Sequence, residues 1–180
     1  MAVPGLPLSR VRTVEGNEAS SGRVVAVERS REWQVGITVG TAGAMQVLLN
    51  DPEGRPNAVD LFSPRMTRLL DLGPASDLLL SVDKDVGEAR RWEQVVGCVG
   101  VTRHGLVLCA AGGRGAFGDW RALFVGIESD WAVLSDVQDL VHHGLWFTQW
   151  QLTLMDAHGH PHRIVGNPVW PAPPTSRAVA

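Results

Sequence analysis

Apolar and polar residues along this chain follow a two-residue rhythm more often than a helical one. Trp33, Val35, Ile37 and Val39 alternate with Gln34, Gly36 and Thr38. Side chains on extended backbone point to opposite faces in turn, so this pattern predicts a half-buried strand. Near the other end, Trp146, Trp150, Leu152 and Leu154 share one face, while Phe147, Gln149, Gln151 and Thr153 share the other. That spacing predicts an extended segment over residues 146–155. Two passages spell almost the same hairpin, residues 46–56 and residues 151–161. Each is a hydrophobic run ahead of Asp-x-x-Gly-x-Pro, with Asp51, Gly54 and Pro56 in the first and Asp156, Gly159 and Pro161 in the second. Asp folds its carboxylate onto nearby N–H groups, Gly takes a positive φ, and Pro begins the return strand where no ladder donor is needed.

The rest reads as short strands with a few short helices. Hairpins are expected over 95–101 and 106–110, turning at Arg103-His104-Gly105, and over 121–127 and 131–134. A short buried strand is expected at 78–82. Ser63-Pro64 predicts a helix start, with Met66, Leu69 and Leu70 on one face and Gly73 as its stop. Asp85 to Glu88 has capping-box spacing and predicts a helix over 86–95 presenting Ala89, Trp92 and Val96. Ser135 to Gln138 predicts another, running to His143 with Gly144 as its stop. About ten short strands and two or three short helices make the fold class mainly β, an antiparallel barrel or sandwich. The expected organisation is a flexible arm over 1–21, one β-rich domain over 22–168, and a proline-rich extended tail over 169–180.

Composition narrows the function classes. The chain has 180 residues, 44% hydrophobic and 19% charged, which suits one globular domain. Its formal net charge is −3, and Lys84 is the sole lysine among 16 basic residues, so the clustered positive charge of a nucleic-acid binder is missing. No apolar run approaches the ~20 residues that span a bilayer, and residues 1–5 lack a secretory signal's basic and apolar regions. A cytoplasmic location without membrane contact is the expectation. Two cysteines, Cys98 and Cys109, suit a reducing compartment and fall opposite each other if the hairpin turns at Arg103-His104.

Seven tryptophans without a tyrosine are the unusual part of the composition. Trp33, Trp92, Trp120, Trp131, Trp146 and Trp150 are the candidate walls of an apolar ligand pocket, since indole offers a large rigid surface and one N–H donor. The candidate metal ligands are His158, His160 and His162 beside Asp156, because imidazole and carboxylate together suit zinc or iron; their turn makes the directions diverge. His142 and His143 have a structural reason at a helix C-terminus. Residues 113–118 match G-x-G-x-x-G, but a strand-like run follows where a dinucleotide fold needs a helix. No nucleophile motif or P-loop occurs. Arg90-Arg91 and Arg65 with Arg68 suit either a phosphate or a solvated face.

The second hairpin with Pro168-Val169-Trp170, and the earlier copy followed by helix-like and strand-like runs, resembles the opening hairpin of flavin-binding split barrels of the pyridoxamine-phosphate-oxidase-like kind. The resemblance implies FMN and a phosphate-binding arginine. The loop before Pro168 is longer than that family's pattern. From the residues themselves no cofactor is expected.

The function expected first is small-molecule binding in a Trp-lined apolar pocket, with substrate positioning of the cyclase kind as its catalytic form. The alternatives are an assembly subunit that self-associates through Trp anchors, and a flavin split-barrel or histidine-metal enzyme.

Overall fold

The computed structural model describes residues 12–14, 20–29, 32–41, 44–50, 56–60, 69–82, 86–87, 94–111, 114–115, 118–119, 122–128, 130–134, 138–156 and 158–166. These residues are mainly β, with antiparallel sheets and little helix. The strands in chain order are β1 (Arg12–Val14), β2 (Arg23–Arg29), β3 (Glu32–Thr41), β4 (Ala44–Asn50), β5 (Pro56–Asp60), β6 (Leu69–Pro74), β7 (Leu79–Val82), β8 (Val86–Gly87) and β9 (Val99–Thr102). They continue with β10 (Gly105–Ala111), β11 (Arg114–Gly115), β12 (Gly118–Asp119), β13 (Ala122–Gly126), β14 (Ala132–Val133), β15 (Leu145–Phe147), β16 (Trp150–Met155) and β17 (Pro161–Gly166). A short α-helix, α1 (Gln138–His143), precedes β15, and Ala75–Asp77 form a single 3-10 turn before β7.

The large sheet runs β1-β6-β2-β3-β4-β5-β10-β9-β15-β8, with β13 attached to β10 and β14 to β13. Its described pairings are antiparallel except one parallel step, Asn57 beside Ala111. A second sheet has the order β17-β16-β7, and β11 pairs with β12 alone. Residues from the two larger sheets form one apolar cluster, in which Ile37, Leu48, Leu108 and Val125 meet Trp150, Leu152 and Val165. The opposite face of β2 and β4 is also buried, through Val25, Val27, Val47 and Leu49. A third cluster sets Trp146 against Val107, Phe124 and Val141 of α1. Burial on both faces explains why β2 reads as an unbroken Val-Val-Ala-Val run instead of an alternating one.

Both repeated hairpins form, as β4–β5 and β16–β17, in different sheets. The second turn works as its residues dictate. Asp156 Oδ1 accepts the N–H groups of His158 and His160, each at 2.8 Å, and Gly159 has φ +80°. The first turn's Asp51 and Gly54 lie outside the described residues. The β9–β10 hairpin turns through Arg103-His104, with Thr102 opposite Gly105.

Four expectations need correction. Residues 69–74 are the strand β6 and not the end of a helix. Leu69, Asp71 and Leu72 are all buried, and hydrogen bonding to β1 on one edge and β2 on the other outweighs helical spacing. Gly73 marks a bulge in that pairing and not a helix stop; the helix start at Ser63 lies outside the described residues. Val86 and Gly87 form β8 on the edge of β15, so the stretch expected as a helix over 86–95 begins as a strand; residues 88–93 lie outside the described residues. Residues 146–155 are extended but not continuous. They bend at Thr148-Gln149 and divide between two sheets, which sends Trp146 and Trp150 to different clusters. Finally, β7 is an edge strand with Leu79 and Val82 exposed, not a buried one. The helix expected to end at His143 is present as α1. Within the stretch expected to be a loose arm, β1 pairs with β6.

Candidate functional site

A groove of about 720 Å³ is lined by residues of both larger sheets and of the turns beside them. Its floor is apolar, built from Leu78 and Leu80 at β7, Leu106 of β10, Leu152 of β16 and Trp131. Its rim is polar, with Ser21, Ser76, Glu128 and Asp130.

Backbone hydrogen bonds hold the walls. Gly22 N donates to Thr38 O at 2.8 Å and Ala75 N donates to Gly22 O at 2.7 Å, which joins the segment before β2 to β3 and to the turn before β7. Ser21 Oγ donates to Asp130 O at 2.7 Å, and Thr38 Oγ1 donates to Ser20 O at 2.6 Å. Gly22 is needed here because a Cβ would sit 3.1 Å from Trp131 Cδ1. Across the groove, Asp130 and Trp131 both have positive φ, 54° and 59°. For a residue as bulky as Trp this is a strained state, of about 1–3 kcal/mol, that surrounding contacts must impose. Here they do: Trp131 is buried in the main cluster and its carbonyl accepts Gly40 N at 3.3 Å.

The face of the large sheet that carries Leu106 extends beyond the groove. Leu108, Val99 and Phe147 form a cross-strand row that packs into the main cluster. Two residues along the same strands, Leu106 pairs with Val101 and Val101 with Leu145, so these three side chains share that face. Val99 is fully buried, whereas Val101 is 47% and Leu145 51% exposed. The row is the same apolar surface without its cover.

The tryptophans expected to line a pocket divide among several environments. Trp131 is a groove wall. Trp150 is fully buried, its Nε1 donating to Gly97 O at 2.7 Å. Trp146 is buried against Gly100 and Phe124, and its Nε1 has no hydrogen-bond partner among the described residues. Trp33 is 44% exposed on β3. Trp92 and Trp120 lie outside the described residues.

The histidine turn is organised by one carboxylate. His162 Nε2 lies 3.1 Å and His160 Nδ1 3.4 Å from Asp156 Oδ2. The His160 N–H, then the His162 side chain and the His158 N–H, hold the Asp156 carboxyl well below the usual carboxylate range. His158 and His160 are exposed, with ring centroids 6.3 Å apart. Among the described residues no group of three or more His, Cys, Asp or Glu side chains converges to hold a metal ion.

Cys98 and Cys109 are free, buried and opposite each other, Cys109 N donating to Cys98 O at 2.9 Å. Burial pushes the Cys98 thiol up to about 11; burial and the neighbouring Cys98 raise Cys109 further. These are inert core thiols. The glycine-rich segment forms the small hairpin β11–β12 and leads into β13, a strand, so it lacks the helix that a pyrophosphate site requires. Arg65, Arg68, Arg90 and Arg91 lie outside the described residues. None of the described helices is long and apolar enough to cross a membrane.

Sequence reasoning missed most of the groove. Ser21, Ser76, Leu106 and Asp130 come from four separate turns and strand ends, and no local pattern marks them as neighbours. Compared with known proteins, the chain matches no family model, no curated protein sequence and no solved structure.

Proposed function

We propose that this protein is a small-molecule-binding module. In this reading the two larger sheets are the halves of a sandwich, and the groove at its open end receives an apolar ligand. The observation that carries the reading is the groove itself: about 720 Å³, floored by Leu80, Leu106, Leu152 and Trp131, and rimmed by carboxylates and hydroxyls. That volume lies within the range of small-molecule sites. The strained Asp130-Trp131 backbone supports it, since such strain gathers where a surface is held in shape for a partner. Binding and positioning are what these residues supply.

The test is titration with a neutral apolar fluorophore, N-phenyl-1-naphthylamine, against the native chain and Ser76→Trp. Ser76 is exposed on the groove rim, so an indole there fills the site without disturbing the core. Saturable one-to-one binding by the native chain, lost in Ser76→Trp with unchanged circular dichroism, is the expected result. Binding that is absent, or unaffected by Ser76→Trp, removes the proposal.

Self-association is the second reading, and β7 favours it. This edge strand has β16 on one side, no described partner on the other, and exposed Leu79 and Val82. A sizing column decides: a dimer that Leu79→Lys dissociates supports it, and a monomer at high concentration removes it.

A further inference from the structure

Resting on the groove as ligand site, we propose that its ligand is an elongated single-chain amphiphile with a cationic head. The apolar chain lies along Leu106, Val101 and Leu145, and the head faces Glu128 and Asp130.

The geometry sets the order of these parts. Ile127 N donates to Leu106 O at 2.8 Å, which places the turn after β13 against the start of β10. Glu128 extends over Gly105, where its carboxyl carbon stands 2.9 Å from the position a Cβ would take. Across the sheet Leu106 on β10, Val101 on β9 and Leu145 on β15 follow one another, and Glu128 stands beyond the start of β10, over Gly105 and outside that row. Strands lie about 4.8 Å apart, so Leu106 to Leu145 spans about 10 Å, the reach of a chain of roughly eight carbons. A compact ligand would fill the groove and leave Val101 and Leu145 wet. An elongated one covers them.

Charge selects the head. Glu128 and Asp130 are exposed on the rim at the groove end of the apolar row. Arg103, at the tip of the β9–β10 hairpin, donates its Nε to His104 Nε2 at 3.1 Å. A carboxylate head would meet like charge, and a neutral head would forgo the attraction. A primary ammonium both neutralises the rim and donates three hydrogen bonds to carboxylates and hydroxyls.

Isothermal titration of the full chain with hexyl-, octyl- and decylammonium, octanol and octanoate tests this. Affinity should rise about threefold to fourfold per methylene up to eight carbons and flatten beyond. Octylammonium should bind about tenfold more tightly than octanoate, with octanol between, and the gap should narrow in 0.5 M salt. Glu128→Gln with Asp130→Asn should erase the head preference and leave octanol binding intact. Val101→Ser with Leu145→Ser, both at exposed positions, should erase the gain from hexyl to octyl. Octanoate binding as well as octylammonium, or affinity independent of chain length, overturns the inference. If that happens while octanol still binds and Ser76→Trp still blocks it, the groove reading survives; if no probe binds, both fall. A dimer that the Val101→Ser, Leu145→Ser variant dissociates would make the row a subunit interface and likewise overturn the inference.

Discussion

Trp150 and Trp146 form a natural experiment on one buried hydrogen bond. Their exposures are 0% and 1%, so both indoles are equally dry. Trp150 Nε1 donates to Gly97 O at 2.7 Å, and Trp146 Nε1 has no partner among the described residues. Changing either residue to Phe removes the same pyrrole edge and leaves a similar void, at a cost of about 1–2 kcal/mol each. Trp150→Phe also strands the Gly97 carbonyl, which adds about 1–3 kcal/mol. Trp146→Phe instead removes a donor whose burial already costs about 1–3 kcal/mol, so the two contributions nearly cancel. The expected gap between the variants is at least about 2 kcal/mol, or roughly 4–8 °C in Tm for a chain of this size. Urea unfolding followed by circular dichroism, with equal m values for both variants, measures it. A Trp146→Phe protein as unstable as Trp150→Phe would refute the reasoning, and would mean that the Trp146 N–H is satisfied after all.

Three further outcomes are expected. Gly100→Ala places a methyl 2.6 Å from Trp146 Cε3, so the indole must move; a loss of about 1–3 kcal/mol and an altered near-ultraviolet spectrum should follow. The folded state depresses the Asp156 carboxyl below its unfolded value near 3.9, so its contribution is complete above that pH and fades as pH falls further; Asp156→Asn should flatten the decline of Tm between about pH 5 and pH 2 relative to the native chain. A steeper decline in the variant would contradict the turn's hydrogen bonding. Cys98 and Cys109 should resist an aromatic disulfide reagent at pH 8 in the folded protein and react as two thiols in denaturant. Fast labelling without denaturant would place at least one of them in contact with solvent.

Local chemistry was the legible part of this chain. The Asp156-Gly159-Pro161 turn, the Arg103-His104 reversal and α1 each depend on residues within a few positions of one another, and each is where its pattern puts it. The failures share a different cause. Leu69, Leu70 and Leu72 satisfy helical and extended spacing alike, and only their pairing with β2, distant in sequence, decides for the strand. The run from Trp146 to Met155 keeps perfect alternation across a bend that sends its halves to different sheets, because periodicity records side-chain direction and not sheet membership. Trp131 was marked as a pocket residue by its chemistry alone. Its neighbours in the groove were not, since Ser21, Ser76 and Glu128 become adjacent only once the sheets have met.

The pairing of β7 with β16 has a consequence for synthesis. Leu79 and Thr153, partners across that ladder, are 74 residues apart. At about 5–20 residues per second, roughly 4–15 s pass between translation of one strand and of the other. Throughout that interval Leu78-Leu79-Leu80-Ser81-Val82 is an uncharged, sticky stretch on a nascent chain without its sheet. Asp77 on one side and Asp83-Lys84 on the other are the kind of gatekeepers that keep such a segment from pairing with its neighbours on a crowded polysome.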